Sequence, residues 1–94
     1  MRKIRGSMRF NLPGSESDAY APPLPGLPIV EMVGDRRLLV ENHKGVIDYS
    51  DGTICVRVKF GKLRISGECL SLAYMSKWQL IITGYIHAVA IERG

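Results

Sequence analysis

Residues 61–70, which read Gly-Lys-Leu-Arg-Ile-Ser-Gly-Glu-Cys-Leu, alternate apolar and polar side chains between two glycines. Side chains on a pleated strand point to opposite faces at successive positions, so Leu63 and Ile65 share one face and Lys62 and Arg64 share the other. The pattern predicts a β-strand with one buried face and one solvated face.

The preceding residues predict a β-hairpin that leads into this strand. Residues 53–60 alternate in the same way, and Asp51-Gly52 separates them from a second strand-like run at residues 46–50. Asp-Gly between two alternating runs is a strong hairpin signal, because primed turns need positive φ angles. A two-residue loop here predicts the pairs Ser50–Thr53, Tyr49–Ile54, Asp48–Cys55, Ile47–Val56 and Val46–Arg57.

A second tight hairpin is predicted nearer the N-terminus. Residues 28–33 and 36–42 are both strand-like, and the turn-forming pair Gly34-Asp35 separates them. Farther along, Gly67 predicts a bulge or bend before the alternation resumes at Leu70.

Chain length and composition limit the overall organisation. Ninety-four residues suffice for one domain, and 46% hydrophobic residues argue against disorder throughout. Residues 1–26 combine basic residues with prolines and lack apolar periodicity, so we expect a flexible leader before a β domain at residues 27–94. No apolar run approaches the roughly 20 residues of a membrane-spanning helix, and no signal-peptide core follows the basic start. These features predict a soluble, cytoplasmic protein.

The expected fold is all-β, a small antiparallel β-sandwich or open barrel of seven to eight short strands. A short β-solenoid is the alternative, because Leu-x-Ile-x-Gly occurs at residues 63–67 and again at 80–84. The hairpin signals favour the sandwich or barrel, since solenoids need several rungs and capped ends.

The sequence offers no catalytic, metal-binding or cofactor-binding constellation. His43 and His87 have no second ligand at metal-binding spacing, and a zinc site needs about four nitrogen or sulfur ligands. Cys55 and Cys69 both fall on the polar phase of their strands, and without a secretion signal we expect two reduced thiols. The chain is therefore expected not to be an enzyme.

A basic stripe leaves open a function in nucleic-acid binding. Arg57, Lys59, Lys62 and Arg64 fall on the polar phase of two adjacent strands, as on some β-modules that bind single-stranded nucleic acid. Such surfaces also need exposed aromatic rings for base stacking, and the aromatic residues here fall on the apolar phase. A solvated outer face is the simpler interpretation.

The C-terminal segment predicts an interface, because both of its faces are apolar. A single layer in a small domain covers one face, so we expect self-association or pairing with a partner protein through residues 80–91. A two-layer sandwich that covers the segment internally is the alternative. The candidate interface residues are Ile81, Tyr85, Val89 and Ile91.

Three segments together resemble a known family. They are LLVENHKGVI at residues 38–47, GKLRISGECL at 61–70 and LIITGYI at 80–86. They are similar to the YabP/YqfC family of sporulation proteins of endospore-forming Firmicutes, and most similar to the YqfC branch. The resemblance covers residues 27–92 and does not extend to the proline-rich leader.

The resemblance implies a non-enzymatic sporulation protein that acts as an interaction or assembly module. It further implies location in the mother-cell cytoplasm, or peripherally at the forespore membrane, and a membrane protein of sporulation as partner. No small-molecule substrate is implied. The motif residues are interpreted as structural: Glu41, Asn42, His43, Gly45, Gly61, Leu63, Ile65, Gly67, Leu70 and Gly84.

Overall fold

The computed structural model describes residues 26–94, which form six β-strands and no helix. The predicted all-β fold is confirmed, but the predicted count of seven or eight strands is wrong. Two strands are 15 residues long, because each continues through a bend near a glycine, Gly67 in one and Gly84 in the other. The strands are β1 (Ile29–Val33), β2 (Arg37–Glu41), β3 (Val46–Tyr49), β4 (Thr53–Val58), β5 (Gly61–Met75) and β6 (Gln79–Arg93). The leader predicted at residues 1–26 lies almost wholly outside the described residues.

All six strands belong to one antiparallel sheet in the order β1-β2-β6-β5-β4-β3. β5 and β6 form the central hairpin. β4 pairs with residues 61–66 of β5, whereas β2 pairs with residues 79–83 of β6. The two outer hairpins therefore extend the sheet from opposite ends of the central one.

The central hairpin bends where two glycines bring its backbones close together. The β5–β6 register shifts between Ser66 and Gly67, which confirms the bulge predicted at Gly67. A Cβ atom on Gly67 would collide with the carbonyl oxygen of Tyr85. Gly84 has a φ of 136°, and a Cβ atom there would lie 2.6 Å from the carbonyl oxygen of Cys69. Only glycine fits at these two positions.

Because of the bends, the sheet folds over on itself into two layers. The first layer contains β3, β4 and the adjoining halves of β5 and β6, and the second contains β1, β2 and the other halves. Side chains of β2 and β4, which are not neighbours in the sheet, belong to one buried cluster. A flat single sheet would leave that face exposed to water. The cluster comprises Leu38, Val40, Ile54, Val56, Val58, Leu63, Ile65, Leu70, Leu80, Ile82 and Ile86.

The turns of the two outer hairpins bind the bends of the central strands. The β3–β4 turn accepts hydrogen bonds from β5, Gly67 N–H to Gly52 O (3.0 Å) and Leu70 N–H to Asp51 O (2.9 Å). The β1–β2 turn accepts the corresponding bonds from β6, from Gly84 and Ile86 to the carbonyl oxygens of Arg36 (3.2 Å) and Asp35 (2.7 Å). Each bend is thereby tied to one hairpin.

These contacts reveal an approximate two-fold symmetry that explains the repeated Leu-x-Ile-x-Gly. In the first layer Leu63 pairs with Val56, and in the second Leu80 pairs with Val40. The isoleucines and glycines of the two repeats also occupy equivalent positions. The repeat therefore marks two equivalent half-sheets, and the fully antiparallel pairing is not that of a β-solenoid.

Two details of the hairpins differ from the sequence predictions. The β1–β2 loop has three residues instead of two, since Val33 pairs with Arg37 and Arg36 belongs to the turn. In the β3–β4 hairpin the pairs nearest the turn are confirmed, but Val46 pairs with Val56 because Ile47 is a bulge. Ile47 is consequently exposed.

Cys55 lies on the solvent-facing side of β4 yet is buried. Its register partners on the two neighbouring strands are Asp48 and Arg64, whose longer side chains flank the small thiol. Cys69 is exposed, and neither cysteine forms a disulfide.

Candidate functional site

The polar motif Glu41-Asn42-His43 holds the turn that joins β5 to β6. We call this turn, residues Ser76 to Gln79, the tip. Glu41 accepts a hydrogen bond from the Gln79 amide (2.8 Å), and the Asn42 N–H donates to the Trp78 carbonyl oxygen (2.7 Å). Asn42 has a φ of 64°, and its side chain donates to the Leu27 carbonyl oxygen (2.9 Å). The motif thus joins the tip to the start of the domain.

His43 is the one polar residue among residues 26–94 that is buried. The Gly45 N–H donates to Nδ1 (2.9 Å), so Nε2 carries the ring proton and donates to the Ser76 carbonyl oxygen (2.8 Å). Both ring nitrogens are satisfied by backbone groups, and the imidazole has no nitrogen left for a metal or a substrate. His43 therefore has a structural role at the base of the tip.

Replacing His43 by alanine is expected to destabilise the domain by about 2 to 6 kcal/mol. The change leaves the Ser76 carbonyl and the Gly45 amide without their buried partner, at a cost of about 1 to 3 kcal/mol each. Urea unfolding followed by circular dichroism measures the loss. Lys44→Ala, at an exposed neighbour, is the control and should change stability by less than about 0.5 kcal/mol. Equal effects of the two substitutions would contradict the structural role of His43.

The tip itself is a rigid turn organised by Ser76. The Ser76 N–H donates to the Gln79 carbonyl oxygen (2.7 Å), and Ser76 Oγ accepts from the N–H groups of Trp78 (3.3 Å) and Gln79 (3.1 Å). The β3–β4 turn uses Ser50 in the same way toward Gly52 and Thr53. The two turns share one local design.

What distinguishes the tip is the pair of side chains at its apex. The β3–β4 turn carries Asp51-Gly52 there, residues that favour turns for local reasons. The tip carries Lys77-Trp78 at the same positions. The Trp78 ring is 62% exposed, and the Lys77 ammonium lies 5.2 Å from its centre. A large aromatic side chain that neither favours the turn nor packs in the core is a candidate for binding.

The four residues of the predicted C-terminal interface do not form one patch. Val89 packs against the core, and Ile81 is half-buried on the outer face of the second layer. Tyr85 is exposed at the bend, where the Arg36 guanidinium stacks 4.2 Å from its ring centre. Ile91 is 65% exposed near the end of β6. Binding through these residues stays a prediction.

β1 is a second segment that exposes apolar side chains. All five of its residues are exposed, four of them are apolar, and among residues 26–94 it pairs only with β2. Its outer edge presents backbone groups that can receive a further strand. The sequence predicted this strand but not its edge position, because the strand order depends on long-range pairing.

The predicted basic stripe is partly neutralised. Arg64 Nε donates to Glu92 at 2.8 Å, and the Lys62 ammonium lies 3.7 Å from the same carboxylate. The hydrogen bond from Arg64 lowers the pKa of Glu92 below its ordinary value. Arg57 is the register partner of Lys62, whereas Lys59 lies in the β4–β5 turn. The ion pairs of Arg64 and Lys62 with Glu92 do not favour nucleic-acid binding, which stays a prediction.

Other chemistry-bearing residues are scattered. His87 lies 3.1 Å from the Glu68 carboxylate on the surface. Residues 26–94 contain no group of three or more histidine, cysteine or acidic side chains placed to hold a metal ion. The same part of the chain has no helix long and apolar enough to cross a membrane.

The sequence analysis did not identify the tip. One signal was available: Ser-x-x at residues 76–78 matches Ser50-Asp51-Gly52, yet tryptophan stands where glycine or asparagine is usual. The contacts of the polar motif with the tip span more than 30 residues and have no local signature.

Comparison with known proteins gives two matches. The model of the YabP family matches residues 28–94. The uncharacterized protein YqfC of Bacillus subtilis strain 168 is 29% identical over 63 residues, which cover 67% of this chain and 68% of that protein. No solved structure matches the chain. The family match covers all six strands, and it includes the polar motif and the tip.

Proposed function

Since the chain belongs to the YabP family, we propose that it is a non-enzymatic sporulation protein that acts as an interaction and assembly module. Its partner is a membrane protein of sporulation, and it works in the mother cell. The resemblance of the sequence to sporulation proteins supports the setting. The exposed edge of β1 supports the mode of action.

β1 is the observation that carries the proposal. In a small domain with a thin stability margin, an apolar strand left open on one edge is costly unless a partner uses it. An extended segment of a partner gains affinity from main-chain hydrogen bonds and specificity from side chains at alternate positions. Val30 and Met32 of β1 pair with Val40 and Leu38 of β2, which belong to the buried cluster. They therefore lie on the core-facing side of the sheet, and a strand added beside β1 would extend the core.

The negative charge of Glu31 favours a different protein as the partner of β1 and disfavours a second copy of this chain. Glu31 is the central residue of β1. In an antiparallel pair of two β1 strands centred on that residue, the two Glu31 side chains would stand opposite each other, which is destabilising. A partner strand with lysine or arginine opposite Glu31 avoids the repulsion and gains an ion pair. The expected partner segment is therefore extended, apolar at alternate positions, and basic at its centre.

Site-specific photo-crosslinking in sporulating cells tests the proposal. A photoreactive residue in place of Val33, which is 61% exposed, is expected to crosslink to one membrane protein. The same residue in place of Glu68, exposed on β5, is the control and should not crosslink to that protein.

Binding of the purified partner segment then tests the edge. Glu31→Lys should weaken binding at least about tenfold, since it replaces an attraction by a repulsion. Asp48→Lys is the matched control, because Asp48 is the exposed acidic residue of β3, the other outer strand. Crosslinking to a second copy of this chain, or equal effects of the two substitutions, would contradict the proposed partner.

A further inference from the structure

The tip presents a second surface, of different chemistry from β1. It ends the central hairpin, and its exposed side chains are amphipathic. In the tip, Trp78 is aromatic with a polar group and Lys77 is cationic. At the adjoining end of β5, Tyr74 is aromatic with a polar group and Met75 is apolar, and both are exposed. Tryptophan, tyrosine and lysine together are typical of the boundary between the headgroups and the acyl chains of a bilayer.

The backbone of the tip is suited to a medium poor in water. Ser76 N–H, Trp78 N–H and Gln79 N–H all donate within the turn. The carbonyl oxygens of Ser76 and Trp78 accept from His43 and Asn42. A polar backbone group costs free energy when it leaves water unpaired, and these groups are already paired.

This arrangement separates the tip from β1 as a binding surface. A surface that binds a protein strand offers backbone donors and acceptors, as does the outer edge of β1, which no other described strand pairs with. At the tip the backbone N–H groups of Ser76, Trp78 and Gln79 are used internally, and the Lys77 and Trp78 side chains are exposed. The polar motif therefore holds an apex that can enter an interface without unfolding.

The charge around the tip is complementary to acidic lipids. Lys77 is at the apex, and Lys44 is exposed next to His43, whose ring binds the tip. Glu41 is the acidic residue of the polar motif, and its carboxylate accepts a hydrogen bond from the Gln79 amide. Cationic side chains near a membrane are attracted to anionic headgroups within about a Debye length.

We propose that the tip docks the protein peripherally on membranes containing anionic phospholipid, with the Trp78 ring at the headgroup level and Lys77 against the lipid phosphates. This contact is made with lipid directly and does not depend on the protein partner that binds β1.

Vesicle binding by the purified full chain tests the inference, and Trp78 is its own probe because it is the chain's single tryptophan. Vesicles of phosphatidylglycerol and phosphatidylcholine should shift Trp78 emission to shorter wavelength and sediment the protein. Pure phosphatidylcholine vesicles should bind at least about tenfold more weakly, since the attraction of the basic side chains is lost. Raised salt should weaken binding to the anionic vesicles.

Matched variants distinguish the tip from the rest of the surface. Trp78→Ser and Lys77→Glu should each reduce binding to anionic vesicles about tenfold, as judged by sedimentation. Ile91→Ser, at a residue as exposed as Trp78, and Arg37→Glu, exposed at the far end of β2 from the tip, should bind like the parent chain. Circular dichroism confirms that each variant is folded.

Three results would each overturn the inference. The first is the absence of binding to anionic vesicles. The second is binding without an emission shift, and the third is binding that Trp78→Ser and Ile91→Ser reduce equally. Since no partner protein is present, failure here leaves the proposed use of β1 intact, and loss of crosslinking at residue 33 leaves the lipid contact intact.

Discussion

The variant Gly84→Ala is expected to lose its folded sheet, or to be destabilised by more than about 4 kcal/mol. Gly84 has a φ of 136°, which an alanine adopts only with strain. The new Cβ would also lie 2.6 Å from the Cys69 carbonyl oxygen and 2.9 Å from the Leu70 Cα. Both contacts are backbone atoms of β5, so β5 and β6 would have to separate at the bend. Urea unfolding followed by circular dichroism measures the effect.

Gly34→Ala is the matched control for backbone strain alone. Gly34 has a φ of 55° in the β1–β2 turn, and no atom lies within 4 Å of its added Cβ. This substitution is expected to cost about 1 to 2 kcal/mol, the penalty for a left-handed residue. If Gly84→Ala were no worse than Gly34→Ala, the close approach of the two strands would be refuted.

The second large effect concerns the two equivalent leucines of the repeats. Leu63→Ala and Leu80→Ala should each destabilise the domain by about 2 to 5 kcal/mol, because both side chains are fully buried and their loss leaves cavities. The approximate symmetry adds a stricter expectation: the two losses should agree within about 1 kcal/mol. Urea unfolding of both variants gives the two losses in unfolding free energy, which can be compared directly if the m-values are unchanged.

Ile81→Ala is the control within the same strand. Ile81 follows Leu80 and lies half-buried on the opposite face, so its loss should cost clearly less. A larger cost for Ile81→Ala than for Leu80→Ala would mean that the outer face of β6 is the buried one. It would also contradict the layer assignment of both repeats.

Local patterns were sufficient to predict strands, hairpins and the bulge at Gly67. Alternation over residues 53–66 identified the buried faces correctly, since it is set by the pleat of each strand. The strand count was wrong because a glycine can end a strand or let it bend, and residues near Gly67 and Gly84 do not distinguish these outcomes. Whether the strand ends or bends at such a glycine depends on the turns of the outer hairpins, which form hydrogen bonds with the bends.

The candidate site was less predictable, because its contacts are long-range. Arg36 enlarges the β1–β2 turn while its carbonyl oxygen and guanidinium both bind Gly84, 48 residues away. Likewise, Glu41 and His43 were identified as structural residues, but their partners at the tip have no local signature. The spacing of residues along the chain does not predict such long-range pairs. The tryptophan at the apex of a turn, in contrast, could have identified the tip as a candidate binding surface.

β5 and β6 each belong to both layers, and this sharing affects how the domain fluctuates. Neither layer can open alone, because the strands that would separate in one are continuous with those of the other. The core is therefore a single cooperative unit. β1 is at the edge of this unit, since within the described part of the chain it is hydrogen-bonded along one edge only and contributes no residue to the fully buried cluster. Its opening is expected to leave the buried cluster intact, so a partner can extend this strand without disturbing the core.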